Sequence, residues 1–485
     1  SAGSFANAKE SERDTLICDE NGFAQTKDMP YGTYTVHQVS GWEGRELMDD
    51  FDVFIAKDAQ TYRYLINNSN FESYIQVVKV DAETGKTIPY AGAGFQIYDS
   101  SGNLITMEFT YPTPTTVDTF YTDANGSLVT PEKLPYGQGY SIVEVQSPYG
   151  YVLDSTPVYF DVTEENSSAE SEVTVIKVEK TNMPQKGTIS IEKTGEVFFG
   201  VLVSGGTDEN GQELPVIYQP IYETQGLPDT VYEIRAAEDV VTPDGTLRYS
   251  KGELVDTVTT DETGFAKSKE LYLGKYEVKE VKAGYGMVLS SEVHTVELIY
   301  AGQDVAVTET ATSFVNERQK VEVSLEKALE TNELFGIGNN GEIKNISFGL
   351  FADEELVSAS GTSIPKDGLL EIITLDENGR ATVGTDLPLG SYYVKELATD
   401  ERYQLSGEKY PVVFEYAGQE AATVVIAVND GEPMENKLIY GSVSGKKVDE
   451  NGEGLGGALI GLFKSDDVEF TEENALMTVV SGDDG

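Results

Sequence analysis

Residues 140–144, Tyr-Ser-Ile-Val-Glu, follow an Asp-Ala-Asn-Gly turn at 123–126 and a Pro-Tyr-Gly segment. Alternate side chains of a β-strand point to the same face, so this Tyr, Ile and Glu lie together. Asn-Gly turns between alternating segments are typical of β-hairpins. The same motif, a turn and then a strand ending Tyr-x-x-x-Glu or Tyr-x-x-x-Gln, occurs at residues 19–38, 123–144, 261–280 and 376–396. The repeat predicts an all-β protein.

Two further motifs flank this one. An alternating strand that ends in Lys precedes it, a strand that ends in Asn closes it, and each Asn lies 11 residues before the next Lys. The lysines are Lys79, Lys193, Lys327 and Lys447, and the asparagines are Asn68, Asn182, Asn316 and Asn436. The order Lys, Glu, Asn is complete three times. The first copy has Gln38 in place of the Glu and no Lys strand, and the last has Lys447 without the later residues.

The spacing of these motifs divides the chain into tandem immunoglobulin-like β-sandwich modules. Short linkers between such modules favour an elongated rod. Residues 1–72 are the C-terminal part of a module, residues 73–185, 186–318 and 319–438 are complete modules, and residues 439–485 are the N-terminal part of a further module. The first complete module carries an insertion at 106–119 and the second a longer one at 194–230.

Composition excludes several classes of protein. The net charge of −49 over 485 residues argues against a nucleic-acid partner, because phosphate binding requires a basic surface. No run of about 18 apolar residues is present, so no membrane insertion is expected. The single cysteine, Cys18, rules out an internal disulfide and is expected in a strand beside the first turn. His37 and His294 lie in different modules, so neither a metal site nor a Ser-His-Asp triad is predicted, and no cofactor is expected.

A Lys and a Glu that both face the core of one module require an explanation, because burying a charge is costly. One interpretation is a buried ion pair. The other is amide formation: burial lowers the pKa of a Lys and raises that of a Glu, so the pair can exist as a neutral amine and a neutral acid. The amine then attacks the carboxamide of the closing Asn, the Glu acts as general acid and base, and ammonia leaves.

Repetition in three modules favours the covalent interpretation. The predicted isopeptide bonds are Lys79–Asn182, Lys193–Asn316 and Lys327–Asn436, and the predicted catalytic residues are Glu144, Glu280 and Glu396. Each module would react once, so this is maturation and not enzymatic turnover.

Several segments carry a family resemblance. They are 79–86 (Lys-Val-Asp-Ala-Glu-Thr-Gly-Lys), 92–95 (Gly-Ala-Gly-Phe), 147–151 (Ser-Pro-Tyr-Gly-Tyr) after Glu144, and 181–184 (Thr-Asn-Met-Pro). With these segments the modules resemble the collagen-adhesin B-type repeats, also called SpaA-type pilin domains, of Gram-positive surface proteins. The resemblance implies prealbumin-like sandwiches in a secreted, extracellular stalk or pilin domain that resists force and proteolysis. It also implies sortase attachment to the cell wall through regions outside this fragment.

Three functions are consistent with this resemblance. The favoured one is a structural stalk. The second is a ligand-binding adhesin, in which the insertions at 106–119 and 194–230 bind a host extracellular protein or glycan; the alternative is that these insertions pack between modules. The third is a pilus backbone subunit, which requires a pilin motif and a sorting signal that are not recognisable in these residues.

We expect three isopeptide bonds in this chain and not four or five. Gln38 cannot exchange a proton as a Glu does, and Lys447 is followed by no Glu and Asn at the required positions. Peptide mapping by mass spectrometry should therefore find Asn68 and Lys447 unmodified. A cross-link at either residue would contradict this prediction.

Overall fold

The computed structural model describes Lys9, residues 15–170 and residues 173–485. Almost all regular secondary structure in these residues is β-strand, with two 3-10 segments at Glu342–Asn345 and Val428–Gly431. Two compact units are present. The first contains the residues up to Lys186, with Val241–Arg248 and Ile299–Thr308, and the second contains Gly187–Val240, Tyr249–Leu298 and Glu309–Gly485. The all-β prediction is confirmed.

Residues 15–70 form a single antiparallel hairpin of β1 (Gly32–Val36) and β2 (Phe51–Ile55). Its Val53 is buried, but most of its large apolar side chains are exposed or only partly covered. Cys18 is exposed and lies outside any strand, immediately before the turn at Asp19. The expectation of a strand at Cys18 is therefore wrong, because none of the described strands pairs with that segment.

The first complete repeat forms a two-sheet sandwich. Its strands are β3 (Glu72–Asp81), β4 (Gly94–Tyr98), β5 (Met107–Phe109), β6 (Thr115–Val117), β7 (Phe120–Tyr121), β8 (Ser127–Val129), β9 (Leu134–Pro135), β10 (Gly137–Gln146), β11 (Val158–Val162), β12 (Ser167–Glu170) and β13 (Val173–Asn182). One sheet has the order β11-β10-β4-β7 and the other β12-β13-β3-β8. Alternate residues of both sheets, such as Ile75, Phe95 and Ile142, meet in one fully buried core.

The first and last strands of this sandwich run parallel and side by side. Their register places Lys79 opposite Lys180 and Asp81 opposite Asn182. Asn182 therefore lies two residues beyond the partner of Lys79. Since side chains alternate along a strand, Lys79 and Asn182 lie on the same face, where they are neighbours.

The next repeat lies mostly in the second unit. Its strands are β14 (Lys186–Thr207), β15 (Glu213–Gly226), β16 (Val231–Ala236), β17 (Val240–Val241), β18 (Leu247–Tyr249), β19 (Leu254–Thr259), β20 (Phe265–Lys267), β21 (Leu271–Tyr272), β22 (Gly274–Lys282), β23 (Val293–Leu298) and β24 (Val307–Asn316). One sheet has the order β19-β16-β22-β23, while β20, β21 and β24 all pair with β14. Ile191, Ile234, Val278 and Phe314 are among the buried residues of its core.

The long insertion extends β14 into a two-stranded ribbon. β14 pairs with β15 from Thr194 to Thr207, far beyond the sandwich core. Phe198, Val201 and Tyr218 of this ribbon pack against the core of the third repeat. Within the second unit, the structure thus agrees with the interpretation that this insertion packs between modules.

The third repeat has the same sandwich pattern. Its strands are β25 (Lys320–Leu329), β26 (Ser347–Ala352), β27 (Leu356–Val357), β28 (Ser363–Ile364), β29 (Leu369–Thr374), β30 (Arg380–Thr382), β31 (Gly390–Ala398), β32 (Lys409–Phe414), β33 (Thr423–Ala427) and β34 (Met434–Asn436), and a final hairpin of β35 (Leu459–Leu462) and β36 (Met477–Val480) follows it. β25 runs parallel to β34, with Lys327 opposite Met434 and Leu329 opposite Asn436. The Asn again lies two residues beyond the partner of the Lys.

The glycine of each repeated turn holds the backbone of the Lys strand. A Lys N–H donates to the glycine carbonyl in all three repeats: Lys79 to Gly126 (2.9 Å), Lys193 to Gly264 (2.7 Å) and Lys327 to Gly379 (2.7 Å). Each glycine has φ between +77° and +82°. A Cβ at any of them would lie within 2.3 Å of a backbone carbonyl oxygen. The turn motif and the Lys motif therefore belong to one local structure that tolerates only glycine.

We expect Gly264→Ala to destabilise the second repeat more than Gly252→Ala does. Gly264 and Gly252 have φ of +82° and +81°, but a Cβ at Gly264 would lie 2.2 Å from the carbonyl oxygen of Lys193, whereas none of the described atoms lies within 4 Å at Gly252. Left-handed strain should cost about 1 kcal/mol at both positions, and the clash should add about 1–3 kcal/mol at Gly264 alone. Calorimetry of the full chain measures the difference, and equal effects would show that close packing at the turn does not matter.

Candidate functional site

The structure brings each predicted Lys together with its predicted Glu and Asn inside the core of one repeat. None of the nine side chains is more than 4% exposed. The three groups are Lys79 with Glu144 and Asn182, Lys193 with Glu280 and Asn316, and Lys327 with Glu396 and Asn436. Each group has its Lys on the first strand of the repeat, its Glu on the strand of the Tyr-x-x-x-Glu motif and its Asn at the end of the last strand. We call them the first, second and third triads.

In the first triad, the carboxylate of Glu144 bridges the other two side chains. Glu144 Oε1 lies 2.8 Å from Lys79 Nζ, and Glu144 Oε2 accepts a hydrogen bond from Asn182 Nδ2 at 2.6 Å. Lys79 Nζ donates to Asn182 Oδ1. Two backbone groups close the site: the Val152 carbonyl accepts from Asn182 Nδ2 at 2.6 Å, and the Asp154 N–H donates to Glu144 Oε2 at 3.1 Å. The amine therefore lies against the carboxamide, and the carboxylate contacts both.

The second triad repeats this arrangement. Lys193 Nζ lies 2.8 Å from Glu280 Oε2 and donates to Asn316 Oδ1. Asn316 Nδ2 donates to Glu280 Oε1 at 2.6 Å. The hydroxyl of the fully buried Tyr232 lies 3.5 Å from Glu280 Oε2. As in the first triad, the Glu carboxylate contacts the amine with one oxygen and the carboxamide with the other.

The third triad differs in the position of its Glu. Lys327 Nζ donates to Asn436 Oδ1 at 2.6 Å, but Glu396 Oε1 lies 3.4 Å from the amine. The same oxygen accepts from Asn436 Nδ2 at 2.7 Å, and Thr399 Oγ1 accepts from Nδ2 at 2.9 Å. Glu396 Oε2 accepts from the Ser406 N–H at 2.7 Å. The Lys-to-Asn contact is thus retained while the Lys-to-Glu contact is looser.

Burial lowers the pKa of all three lysines. The pKa of Lys79 falls to about 8 because its amine is removed from water, even though the neighbouring Glu144 favours the charged form. Burial also lowers the pKa of Lys193 and Lys327, against the opposing effects of Glu280 and Glu396. A larger share of each amine is therefore neutral near neutral pH than in a solvent-exposed Lys. A neutral amine is the form that can act as a nucleophile.

An aromatic side chain lies opposite each Glu and helps to exclude water from the triads, a role that was not predicted from the sequence. Phe95 lies opposite Glu144, Tyr232 opposite Glu280 and Phe348 opposite Glu396 on the adjacent strand. Lys79 Nζ is 5.6 Å from the centre of the Phe95 ring and Lys327 Nζ is 5.7 Å from that of Phe348. A recurring aromatic in the second strand of each repeat was the available signal. It could have been recognised only once the strand register was known.

Among the described residues, neither incomplete copy forms a triad, because the first has no Lys and the last has neither the Glu nor the Asn. Asn68 Nδ2 donates to Gln38 Oε1 at 2.7 Å, so these two side chains meet as an Asn and a Glu do elsewhere, but in a partly exposed position. Lys447 is exposed, and its amine donates to the Val448 carbonyl at 3.2 Å. The structure does not bring either end segment into a Lys–Glu–Asn arrangement.

Two other kinds of feature do not occur in the described part of the chain. No helix there has the length and apolar character needed to cross a membrane. Over the same residues, no group of three or more His, Cys, Asp and Glu side chains is placed to hold a metal ion.

Comparison with known families identifies the fold. The model of the SpaA prealbumin-like fold domain matches residues 73–177, 222–312 and 336–429, which together make up more than half of the chain. The chain therefore belongs to the SpaA family of prealbumin-like domains. The resemblance found in the sequence and the predicted class of tandem prealbumin-like sandwiches are confirmed.

Solved structures with a similar fold include Gram-positive pilins and adhesins. The TIE protein of Bacillus anthracis is 20% identical to this chain, with a TM-score of 0.45. The match covers 85% of this chain and 66% of the TIE protein, so this chain spans just under two thirds of the length of the TIE protein. BcpA, the major pilin subunit of Bacillus cereus, is 16% identical, with a TM-score of 0.28 over 76% of this chain and 100% of that one. SpaC, a pilus adhesin of Lactobacillus rhamnosus GG, is 11% identical, with a TM-score of 0.28, and the match covers 81% of this chain and 47% of the SpaC chain. A comparison with curated protein sequences found no significant match.

The lowered pKa of Lys79 predicts a pH-dependent stability in a chain that cannot form the first amide. An Asn182→Ala variant retains the burial and the Glu144 neighbour that hold the pKa of Lys79 at about 8 in the parent, so this pKa should stay well below its ordinary value of 10.5. Between these values folding releases a proton, so the free energy of unfolding should rise with pH, by at most about 1.4 kcal/mol per pH unit. Denaturant unfolding from pH 7 to 10.5 measures this rise. The Lys79→Ala/Asn182→Ala double variant should lack it, and the same rise in both variants would assign the effect to other groups.

Proposed function

We propose that this chain is the structural stalk region of a secreted Gram-positive surface adhesin or pilin-like protein, and that its three complete modules each form one Lys–Asn isopeptide bond. One observation carries the proposal. In all three repeats a buried Lys amine contacts an Asn carboxamide, and both contact a buried Glu. A stabilising ion pair would not need the Asn, so its presence at the amine in every repeat favours amide formation.

The geometry supports a balanced reaction. The Lys Nζ forms a bond to the Asn Cγ, and the bond from Cγ to Nδ2 breaks. One proton passes from the amine to Nδ2 through the Glu carboxyl group, and Nδ2 leaves as ammonia. Glu144 and Glu280 contact both nitrogens of their triads, so each is placed to transfer this proton. One amide replaces another, and the step requires no oxidant, metal or organic cofactor.

The proposed bond would supply stability that the chain cannot obtain from disulfides. Lys79 and Asn182 are 103 residues apart, so the bond closes a long loop of the unfolded chain. By analogy with a disulfide, closing such a loop contributes about 4–5 kcal/mol in the chain-entropy model. With only Cys18 available, no internal disulfide can have this role. Each module reacts once, so the protein is not an enzyme in the ordinary sense.

Membership of the SpaA family and the charge of −49 support an extracellular location on the cell surface. We propose that the protein is attached to the cell wall. We expect no nucleic-acid partner and no membrane insertion.

A second candidate function is ligand binding by the shorter insertion. Residues 107–117 form the β5–β6 hairpin, whose tip exposes 86% of Tyr111 and 46% of Phe109. Exposed aromatics on a loop are typical of binding surfaces for a host extracellular protein or glycan. Binding of the full chain to immobilised host matrix proteins and glycans, compared with a Tyr111→Ser/Phe109→Ser variant, tests this function. Equal binding by both chains would exclude the hairpin as the binding surface.

Intact-mass measurement tests the main proposal. The full chain should be lighter than its sequence mass by three molecules of ammonia. Glu280→Ala should restore one of them, and peptide mapping should locate the loss to Lys193 and Asn316, because the second triad alone loses its proton carrier.

Glu277→Ala is the matched control, since Glu277 lies on the same strand with its side chain exposed. It should retain the full deficit of three ammonia molecules. A parent chain of unreduced mass would refute amide formation, and a Glu280→Ala chain with the full deficit would refute the role of the Glu.

A further inference from the structure

A Tyr-Ala-Gly-Gln sequence occurs twice, at 300–303 and 416–419, and no part of the proposed reaction uses it. The first copy belongs by sequence to the module at 186–318. In the structure, however, Ile299–Thr308 is part of the same compact unit as the first triad. We call each copy a docking loop. Both copies bind next to a triad that belongs to the preceding module.

The first docking loop binds the backbone through Gln303. The Ser147 N–H donates to Gln303 Oε1 at 3.0 Å, and Gln303 Nε2 lies 3.5 Å from the Val145 carbonyl oxygen. The Leu153 N–H donates to the backbone carbonyl of Gln303 at 2.9 Å. Gln303 thus binds Ser147, three residues after Glu144, and also Leu153, which belongs to the segment that covers the triad.

The segment that covers the first triad connects Gln303 to the reacting groups. Residues 152–154 form this cover segment. Val152 and Asp154 make the two backbone hydrogen bonds to Asn182 and Glu144, and Leu153 lies between them. The hydrogen bond from Leu153 to Gln303 therefore fixes the middle of a segment whose two ends contact the reacting groups.

The second docking loop makes two of these three contacts beside the second triad. The Ala283 N–H donates to Gln419 Oε1 at 2.8 Å, and the Leu289 N–H donates to the Gln419 carbonyl at 2.9 Å. Ala283 lies three residues after Glu280, as Ser147 does after Glu144. A tyrosine pair accompanies each loop: Tyr300 with Tyr149 at 4.6 Å between ring centres, and Tyr416 with Tyr285 at 5.0 Å.

A buried linker glutamine ties each docking loop to the end of the Asn strand. Gln185 Nε2 donates to the Gly302 carbonyl at 2.9 Å, and Gln185 Oε1 accepts from the Ala301 N–H at 2.9 Å. Gln319 makes the equivalent bonds to Gly418 and Ala417, at 3.0 and 2.8 Å. Gln185 and Gln319 lie three residues after Asn182 and Asn316, and both are at most 2% exposed. Each loop is thus bound to the ends of both the Glu strand and the Asn strand.

We propose that the docking loop of each module is a positioning element for amide formation in the module before it. Docking of Gln303 holds the segment that covers the first triad, and docking of Gln419 holds Leu289, the equivalent position nine residues after Glu280. The first triad then matures when the loop of the second module is in place, and the second triad when the loop of the third is. This inference rests on the proposed isopeptide function. Gln303 and Gln419 contact neither Lys nor Asn of a triad, so they are positioning residues and not catalytic ones.

The physical reason is exclusion of water and alignment of the reacting groups. Without the docking loop, the N–H groups of Ser147 and Leu153 lose their acceptors and the cover segment is free to lift from Asn182 and Glu144. Water then reaches the amine and stabilises its charged form, which cannot attack. Small misplacements of reacting groups can reduce rates by about a hundredfold.

The test follows bond formation in each module separately. The full-length parent, Gln303→Ala and Gln419→Ala chains are made by cell-free translation, and peptide mapping gives the fraction cross-linked in each module with time. Gln303→Ala removes the acceptor of the Ser147 N–H and so loosens the loop whose backbone carbonyl holds Leu153. It should slow the Lys79–Asn182 bond at least about tenfold and leave the other two bonds at parental rates. Gln419→Ala should slow only the Lys193–Asn316 bond, so each variant is the control for the other.

Further variants separate positioning from a general loss of structure. Gln303→Glu retains the acceptor for the Ser147 N–H and should recover much of the rate. Gln185→Ala releases the same loop from its other attachment and should slow the same bond. The pH at which Lys79–Asn182 formation is half-maximal should shift upward in Gln303→Ala, because water that reaches the amine raises the lowered pKa of Lys79.

The outcomes distinguish the two proposals. A parent chain that forms no amide contradicts the proposed function itself. A parent with three bonds and a Gln303→Ala chain with parental kinetics contradicts only the docking-loop inference. Equal slowing of all three bonds, or no recovery in Gln303→Glu, would also overturn it, since neither fits the loss of one local contact.

Discussion

The removal of a lysine amine from water is the constraint on which the rest of each repeat depends. A buried amine needs a close hydrogen-bonding partner, and Glu144 supplies that partner for Lys79 at 2.8 Å. To hold the pair, the fold needs a long strand for the Glu, an aromatic opposite it and a glycine turn that fixes the Lys backbone. All three recur in each of the three repeats. The triad is therefore the element around which the sandwich is arranged.

Repetition made much of this predictable from the sequence. Period-two alternation identified the inward faces of strands such as β10, and three copies of the Lys, Glu and Asn order indicated which side chains lie together. A single copy would have left a buried Lys and Glu open to an ordinary structural explanation. The grouping of Lys193 with Asn316, 123 residues apart, was accessible because the spacing of the motifs repeats.

Other features depend on which strand lies beside which, and alternation alone does not contain that information. The ribbon of β14 and β15 has exposed apolar residues on its outer part, such as Leu202 and Val203, which in the sequence suggest a binding surface as readily as a packed one. Its contacts with the core of the third repeat became evident only in the fold. The strand expected at Cys18 failed for the same reason, since a suitable sequence forms a strand only where a partner is available. The place of Tyr232 beside Glu280 likewise required the register between β16 and β22.

The parallel pairing of first and last strands has a mechanical consequence. In the first repeat, β3 leads into the sandwich and ends near Lys79, while β13 ends at Asn182 and leads out of it. With the proposed amide in place, tension entering along β3 would cross directly to the end of β13. The 103-residue span between Lys79 and Asn182 would then carry no load. An extended chain of that size spans about 340–370 Å. The amide would prevent this length of chain from extending under a pulling force. The module would therefore keep a nearly fixed length even if its sheets were disrupted.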